Sequence, residues 1–435
     1  MALSRRLFLS AAAAPLAAAY RPNIVWIWAD NLAYQDLSVY GSRRVSTLAI
    51  DGLAHGGVRF TQYYVAHTVC SPSRAALLTG RQPFRTGIVD VLRPDSPAGL
   101  PADEVTLADV LRGLGYATAA IGKWHLGDRR EYLPTEHGFD HYFGMPYSMD
   151  MLPAHLYRGH EIIEDLGGEN VADITTRYVD EAIRFARANR RRPFFIYLSH
   201  TIPHPPLVLP AKERRPGRPI YDDAIEYMDR ETGRLLAVLD ELRLGENTLV
   251  FFSSDNGPMA PGGQTGPLRG RIRDAYEGGV RVPFIASWPG RIPAGRVVGT
   301  PAIAYDVFPT VVRLAGARLP TNRLYDGQDI WPLLAGEGDF KRRQPFFWVY
   351  LDNVTAIRDG RWKLHVAERE KPRAAPELYD LESDPGESRP VADAHPEVVK
   401  TLRAKIAEFQ ATVPKVWRLD YPVRDPRKLK SGVRR

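Results

Sequence analysis

Cysteine is nearly absent from this chain: 435 residues contain one, Cys70. A lone cysteine excludes an internal disulfide framework and a cysteine-built zinc site. Long apolar runs are missing as well. The apolar stretch from Leu7 to Ala19 is too short to span a bilayer, and no integral membrane segment is expected in the mature chain. No acidic surplus exists, since 58 basic residues outnumber 51 acidic ones for a formal net charge of +7. That excess is local. Between Pro414 and Arg435 eight basic residues face two acidic ones, which marks 414–435 as a basic tail. The chain shows no internal repeat, no low-complexity segment after the N-terminus and no nucleic-acid-binding motif, so no nucleic acid is expected as partner.

What is present begins with Ser4-Arg5-Arg6-Leu7-Phe8-Leu9 and an alanine-rich run ending at Ala19. Paired arginines, a short apolar region and small residues read as a twin-arginine-type signal over 1–19. The twin-arginine translocase is then a partner, and the expected location is periplasmic or secreted. Exported proteins ordinarily use cysteines in pairs. One unpaired cysteine is easier to explain there if it is no longer a thiol.

Four short apolar runs without period-2 alternation read as strands covered on both faces: 23–28, 117–121, 193–198 and 248–252. Helical periodicity lies between them, at 106–115 with Thr106 as N-cap and at 222–244 with Gly245 as stop. Strand and helix alternation predicts an α/β sandwich around a largely parallel sheet. After about residue 335 the texture changes to strands at 344–350, 354–357 and 362–366 and a helix near 396–411. The expected layout is a catalytic domain over 20–335 and a small C-terminal domain, 336–413, of antiparallel sheet with one helix.

Each of the four strands is followed by polar residues: Asp30 and Asn31, Lys123 and His125, His200 and His204, Asp255 and Asn256. Open α/β sheets bind ligands outside the carboxyl ends of their strands. Carboxylate and amide oxygens at Asp30, Asn31, Asp255 and Asn256 suit a hard cation, calcium or magnesium, better than zinc. Cys70 opens the run Cys70-Ser71-Pro72-Ser73-Arg74-Ala75-Ala76-Leu77-Leu78-Thr79-Gly80. If a helix starts there, its dipole favours negative charge developing at residue 70.

That run resembles the signature of the type I sulfatases, formylglycine-dependent sulfuric ester hydrolases of the alkaline phosphatase-like superfamily. Gly122-Lys123-Trp124-His125-Leu126-Gly127, Ser254-Asp255-Asn256-Gly257 and Tyr276-Glu277-Gly278-Gly279 extend the resemblance, which is nearest the arylsulfatase A and galactosamine-6-sulfatase branch. It implies an alkaline phosphatase-like sandwich, a divalent metal, foremost Ca2+ with Mg2+ as second choice, and formylglycine made from Cys70 by a formylglycine-generating enzyme before export. The metal ligands would be Asp30, Asn31, Cys70, Asp255 and Asn256. The hydrate at Cys70 would attack sulfur, Arg74 and Lys123 would hold it, His204 would protonate the leaving alcohol and His125 would deprotonate the remaining hydroxyl. His200 competes with His204 for the acid role, and Ser148 matches a position near the substrate. The implied substrate is a sulfated carbohydrate or an aryl sulfate.

Two positions depart from the family. Asn31 stands where an aspartate is usual, removing one negative charge from the ligand set. Ile272 stands where a sulfate-contacting lysine is usual, and Arg271 or Arg273 is expected to supply the missing charge. Two other functions remain open on sequence: a phosphonate or phosphate ester hydrolase of the same superfamily, and a degenerate sulfated-glycan binder without turnover.

Overall fold

A computed structural model describes residues 21–94, 96–259, 262–369 and 371–415. The expected leader and residues 416–435 of the expected tail lie outside the described residues. The large sheet comprises β1 (Asn23–Ala29), β2 (Val58–Tyr64), β3 (Ala117–Lys123), β4 (His141–Met145), β5 (His155–Arg158), β6 (Glu161–Asp165), β7 (Phe194–Ser199), β8 (Thr248–Ser254), β9 (Arg281–Ser287), β10 (Arg296–Val298) and β11 (Ala302–Ile303). Its order is β10-β2-β9-β8-β1-β7-β3-β4-β5-β6, with β11 also on β2. The centre, β8 through β4, is wholly parallel, and antiparallel pairs flank it at β8/β9 and β4/β5.

Alternation along β1 explains why the sheet is covered on both faces. Ile24, Trp26 and Trp28 enter one core, while Val25, Ile27 and Ala29 enter the other. The helices are α1 (Leu48–His55), α2 (Cys70–Thr79), α3 (Leu107–Gly113), α4 (Ile174–Ala188), α5 (Ile220–Glu241), α6 (Glu277–Val280), α7 (Val307–Leu314), α8 (Trp331–Ala335) and α9 (Pro396–Gln410). Residues of α2, α3 and α7 close the first core, and those of α1, α4 and α5 the second. Each fully buried aromatic contributes roughly 2–3 kcal/mol of transfer free energy. The reading of Thr106 is borne out, since its side chain and that of Asp109 form a reciprocal capping box. Helix α5 ends at Glu241, three residues before the 222–244 reading, with Leu242 as its cap. The described residues contain no helix long and apolar enough to cross a membrane.

A second sheet, β12 (Phe346–Tyr350), β13 (Asn353–Asp359), β14 (Trp362–Glu368) and β15 (Lys371–Asp380), is antiparallel throughout and packs with α9. Strand β15 was not among the strands read from sequence, because its first half is polar and exposed. This sheet meets the large one through a buried ionic cluster. Lys363 Nζ lies 2.8 Å from Glu277 and 3.3 Å from Glu387, His365 Nε2 is 2.7 Å from Glu387, and Tyr64 donates to Glu277 at 2.6 Å. Burial pushes the Glu277 carboxyl up, but Lys363, Arg281 and Arg358 outweigh it and hold the group below the ordinary carboxylate range.

Stability from Glu277 is therefore fully present above its unfolded pKa of about 4.3 and is lost as pH falls through the lower folded value. Replacing Lys363 by Met leaves two buried carboxylates without their shared cation. We expect a loss of about 3–5 kcal/mol in urea unfolding at pH 7, shrinking toward pH 4. A loss below about 1 kcal/mol at pH 7 contradicts this role for the cluster.

Candidate active site

The site forms where four adjacent strands end. Helix α2 begins at Cys70 behind Val69, which is extended and supplies no capping side chain. Gly80 ends the helix in the left-handed region at φ 69°, where a Cβ would sit 2.7 Å from Phe308, so the motif's final glycine is both a cap and a packing requirement. Every residue of α2 is buried.

From the second turn of α2, Arg74 reaches all four strand ends. Its guanidinium donates to Asp255 after β8 at 2.7 and 3.2 Å, to the Lys123 carbonyl on β3 at 3.0 Å, and to Ser199 Oγ on β7, and it stands 3.8 Å from Asp30 after β1. Lys123 donates to Asp30 at 2.5 Å. All four charged side chains have no solvent exposure. Two carboxylates and two cations balance, which is the condition for keeping ions in such a place. Lys123 is brought in by Gly122, whose φ is 103° and where a Cβ would sit 1.8 Å from the Ser199 carbonyl oxygen.

The carboxylates differ. Burial raises both, but Lys123, His204 and Arg74 overcome it at Asp30 and hold that group ionised, whereas at Asp255 burial is reinforced by the charge of Asp30 and the carboxyl is pushed up. The Cys70 thiol points between them, 3.6 Å from Asp30 Oδ1 and 3.9 Å from Asn31 Oδ1. Burial and both aspartates push the thiol well above its ordinary range. As a plain cysteine, residue 70 is a poor nucleophile here.

Asp30, Cys70 and Asp255 each offer an atom within 4.8 Å of the others'. Asn31 and Asn256 join them: Asn256 Nδ2 donates to Asn31 Oδ1 at 2.5 Å, while Asn256 Oδ1 is buried without a partner among the described residues. Asn31 has φ 64°, a left-handed conformation that asparagine tolerates. Hard oxygens converging with one of them orphaned fit a hard divalent cation.

His125 is buried, and its Nε2 donates to the Leu92 carbonyl at 3.1 Å, which leaves Nδ1 as an acceptor with no partner among the described residues. Burial first, then Lys123 and Arg74, lower its pKa well below the usual value, so the ring is neutral. His204 donates from Nδ1 to the Pro205 carbonyl, leaving Nε2 for other chemistry. His200 is lowered to about 4 by burial alone, with no charged group acting on it and neither nitrogen bonded among the described residues. Ser148 is buried with its hydroxyl unpartnered among the described residues. Arg271 lies beside Asp274, and Arg273 lines a cleft with His67 and Thr68, just ahead of Cys70 in the chain.

Ser199, the Leu92 carbonyl and the Glu277 cluster were missed in the sequence. Ser199 sits directly before His200 at a strand end and had that signal; a backbone carbonyl has none.

An α/β sheet with a buried helix N-terminus, paired carboxylates and histidines at its carboxyl edge defines a hydrolase of anionic esters. The particular family follows from comparison. The sulfatase profile matches residues 22–317, and the C-terminal profile of N-sulphoglucosamine sulphohydrolase matches 271–412. Arylsulfatase A of Bos taurus is 40% identical, spanning 93% of this chain and 91% of its own length. N-acetylgalactosamine-6-sulfatase of Canis lupus familiaris is 35% identical, spanning 92% and 87%. A solved structure from work on the metabolism of multiple glycosaminoglycans by Bacteroides thetaiotaomicron superposes with a TM-score of 0.83 at 28% identity, covering 90% of this chain and 100% of that one. The chain belongs to the sulfatase family, has the alkaline phosphatase-like fold and is a sulfuric ester hydrolase.

In chelator-treated protein carrying unmodified Cys70, iodoacetamide at pH 8 should label the thiol at least about tenfold more slowly than in guanidinium-unfolded protein. Equal rates would show that the thiol is neither buried nor shifted.

Proposed function

We propose that this enzyme hydrolyses sulfate esters of a carbohydrate or aryl alcohol through a formylglycine derived from Cys70. The observation that carries the reading is the placement of Cys70, buried at the start of α2 with its sulfur 3.6 Å from Asp30 Oδ1 inside a balanced quartet of buried ions that pushes the thiol pKa up. A thiol so placed lacks the thiolate needed for attack. Formylglycine, as its hydrate, supplies an oxygen nucleophile at the same point and is made by a formylglycine-generating enzyme. A divalent cation, Ca2+ in preference to Mg2+, would be held by Asp30, Asn31, residue 70, Asp255 and Asn256 and would supply positive charge to the sulfate and the nucleophile. Asn31 in place of a second aspartate leaves that ligand set with one negative charge fewer.

The chain's own groups then have separate tasks. Arg74 and Lys123 orient residue 70 against Asp30 and Asp255. His204, bonded through Nδ1, offers a proton from Nε2 to the leaving oxygen. Neutral His125 accepts a proton at Nδ1 because Leu92 holds its other nitrogen. Ser148 contacts the substrate. Of the two arginines beside Ile272, Arg273 lines a cleft with His67 and Thr68 and is the one proposed to bind substrate, while Arg271 meets Asp274 through its backbone amide. A periplasmic or secreted location after twin-arginine export suits a chain whose residue 70 is converted before translocation. The names of the relatives support aryl and amino-sugar sulfates as the substrates to try first.

His204→Ala should lower kcat/KM for an alkyl or sugar sulfate by about 10²–10⁴, and far less for 4-nitrophenyl sulfate, whose leaving group needs no proton. Equal losses on both substrates remove His204 from the acid role. A wild-type enzyme faster on a matched phosphate diester than on the sulfate would replace the sulfatase reading with the phosphohydrolase one.

A further inference from the structure

Between the two sheets lies a cleft walled by His67, Arg273, Tyr350 and Arg369, and His67 stands three residues ahead of Cys70 in the chain. Its groups are tied to the catalytic ones through a single segment: Leu92 orients His125, and Asp90, two residues earlier, faces Arg273 at 4.0 Å and accepts from Tyr350 at 3.3 Å. Tyr350 in turn accepts from Arg369 at 2.6 Å. The cleft is thereby tied to the segment that orients His125.

Three observations mark it as a binding site. Arg273 has left-handed backbone at φ 76°, and Arg369, in the tight turn between β14 and β15, faces the same space. Non-glycine residues adopt that conformation at a cost, and such residues cluster where ligands are held. The Arg273 amide is fixed to the Thr68 carbonyl at 2.9 Å, yet its guanidinium meets Asp90 only at the outer limit of an ion pair. His67 is 2% exposed and makes no hydrogen bond of good geometry among the described residues, although the Val349 backbone is near enough to act on the ring. Burial keeps it neutral, so it offers one donor and one acceptor. Arg373, further along, is occupied by Glu377 at 2.6 Å and Tyr276 at 2.9 Å, and Asp274 accepts from the Arg271 amide.

We infer that this cleft recognises a second anionic group of the substrate, a carboxylate or sulfate on the part of the molecule next to the scissile ester, with Arg273 and Arg369 supplying charge and His67 a hydrogen bond. Guanidinium pairs suit planar and tetrahedral oxyanions alike. The substrate class is then a polyanionic sulfated saccharide, which rests on the sulfatase reading above.

The test measures binding and turnover separately. Calorimetry on Cys70→Ala protein uses three disaccharides: one sulfate on a neutral partner, one sulfate with a uronate, and two sulfates. We expect the doubly anionic pair to bind about tenfold tighter at low salt. The advantage should shrink in Arg369→Gln and vanish in the Arg273→Gln/Arg369→Gln double variant, and the tighter of the two dianions identifies the group recognised. Equal binding of all three, or an advantage that survives the double variant, overturns the inference. Turnover of 4-nitrophenyl sulfate should stay within about twofold in Arg369→Gln, because that substrate lacks the second anion. A parallel loss on it would make Arg369 structural. Wild-type protein that releases no sulfate from any substrate sinks the sulfatase reading while leaving the binding result to stand on its own.

Discussion

One guanidinium sets the conditions for everything else in this protein. Arg74 is fully buried on a fully buried helix; its donors end on the carboxyl tips of β8, β7 and β3, and it stands 3.8 Å from Asp30 after β1, these four strands being consecutive in the sheet. It is at once the charge that lets Asp255 and Asp30 lie together out of water and the strut that sets the start of α2 against the sheet. Removing a partner from a buried pair leaves an uncompensated charge, a far larger cost than losing a surface contact. Residue 70 owes both its position and its chemical state to that strut.

The balance of charge also explains what the site must recruit. Asp30, Asp255, Arg74 and Lys123, none of them exposed to solvent, sum to zero, so an arriving sulfate monoester meets no net attraction from them. The divalent cation proposed for the converging oxygens would make that sum positive. The replacement of the usual aspartate by Asn31 raises the net positive charge of the loaded site by one, and this offsets in part the lysine lost at Ile272. The two departures from the family pattern thus act in opposite directions on the same electrostatic sum.

Much of this was legible in the sequence, for identifiable reasons. Buried parallel strands write themselves as continuous apolar runs, so β1, β3, β7 and β8 and the polar residues after them stood out. Gly80 and Gly122 belong to motifs because backbone geometry and close packing demand them. The chain could not reveal groups that act through the main chain, such as the Leu92 carbonyl that fixes the His125 tautomer. The sequence favoured His204 over His200 for the acid role through its resemblance to the family pattern. The polar first half of β15 hid a strand, and the Glu277, Lys363 and Glu387 cluster joins residues more than a hundred positions apart. The cleft faced by Arg273 and Arg369 exists only once both sheets are assembled.

The central claim is that residue 70 acts after it ceases to be a thiol. Quantitative peptide mass spectrometry of the segment containing residue 70, across preparations coexpressed with graded amounts of formylglycine-generating enzyme, tests it directly. Specific activity should rise in proportion to the aldehyde fraction and pass through zero where only cysteine is found. Full sulfatase activity in protein whose residue 70 is entirely unmodified cysteine would contradict the account.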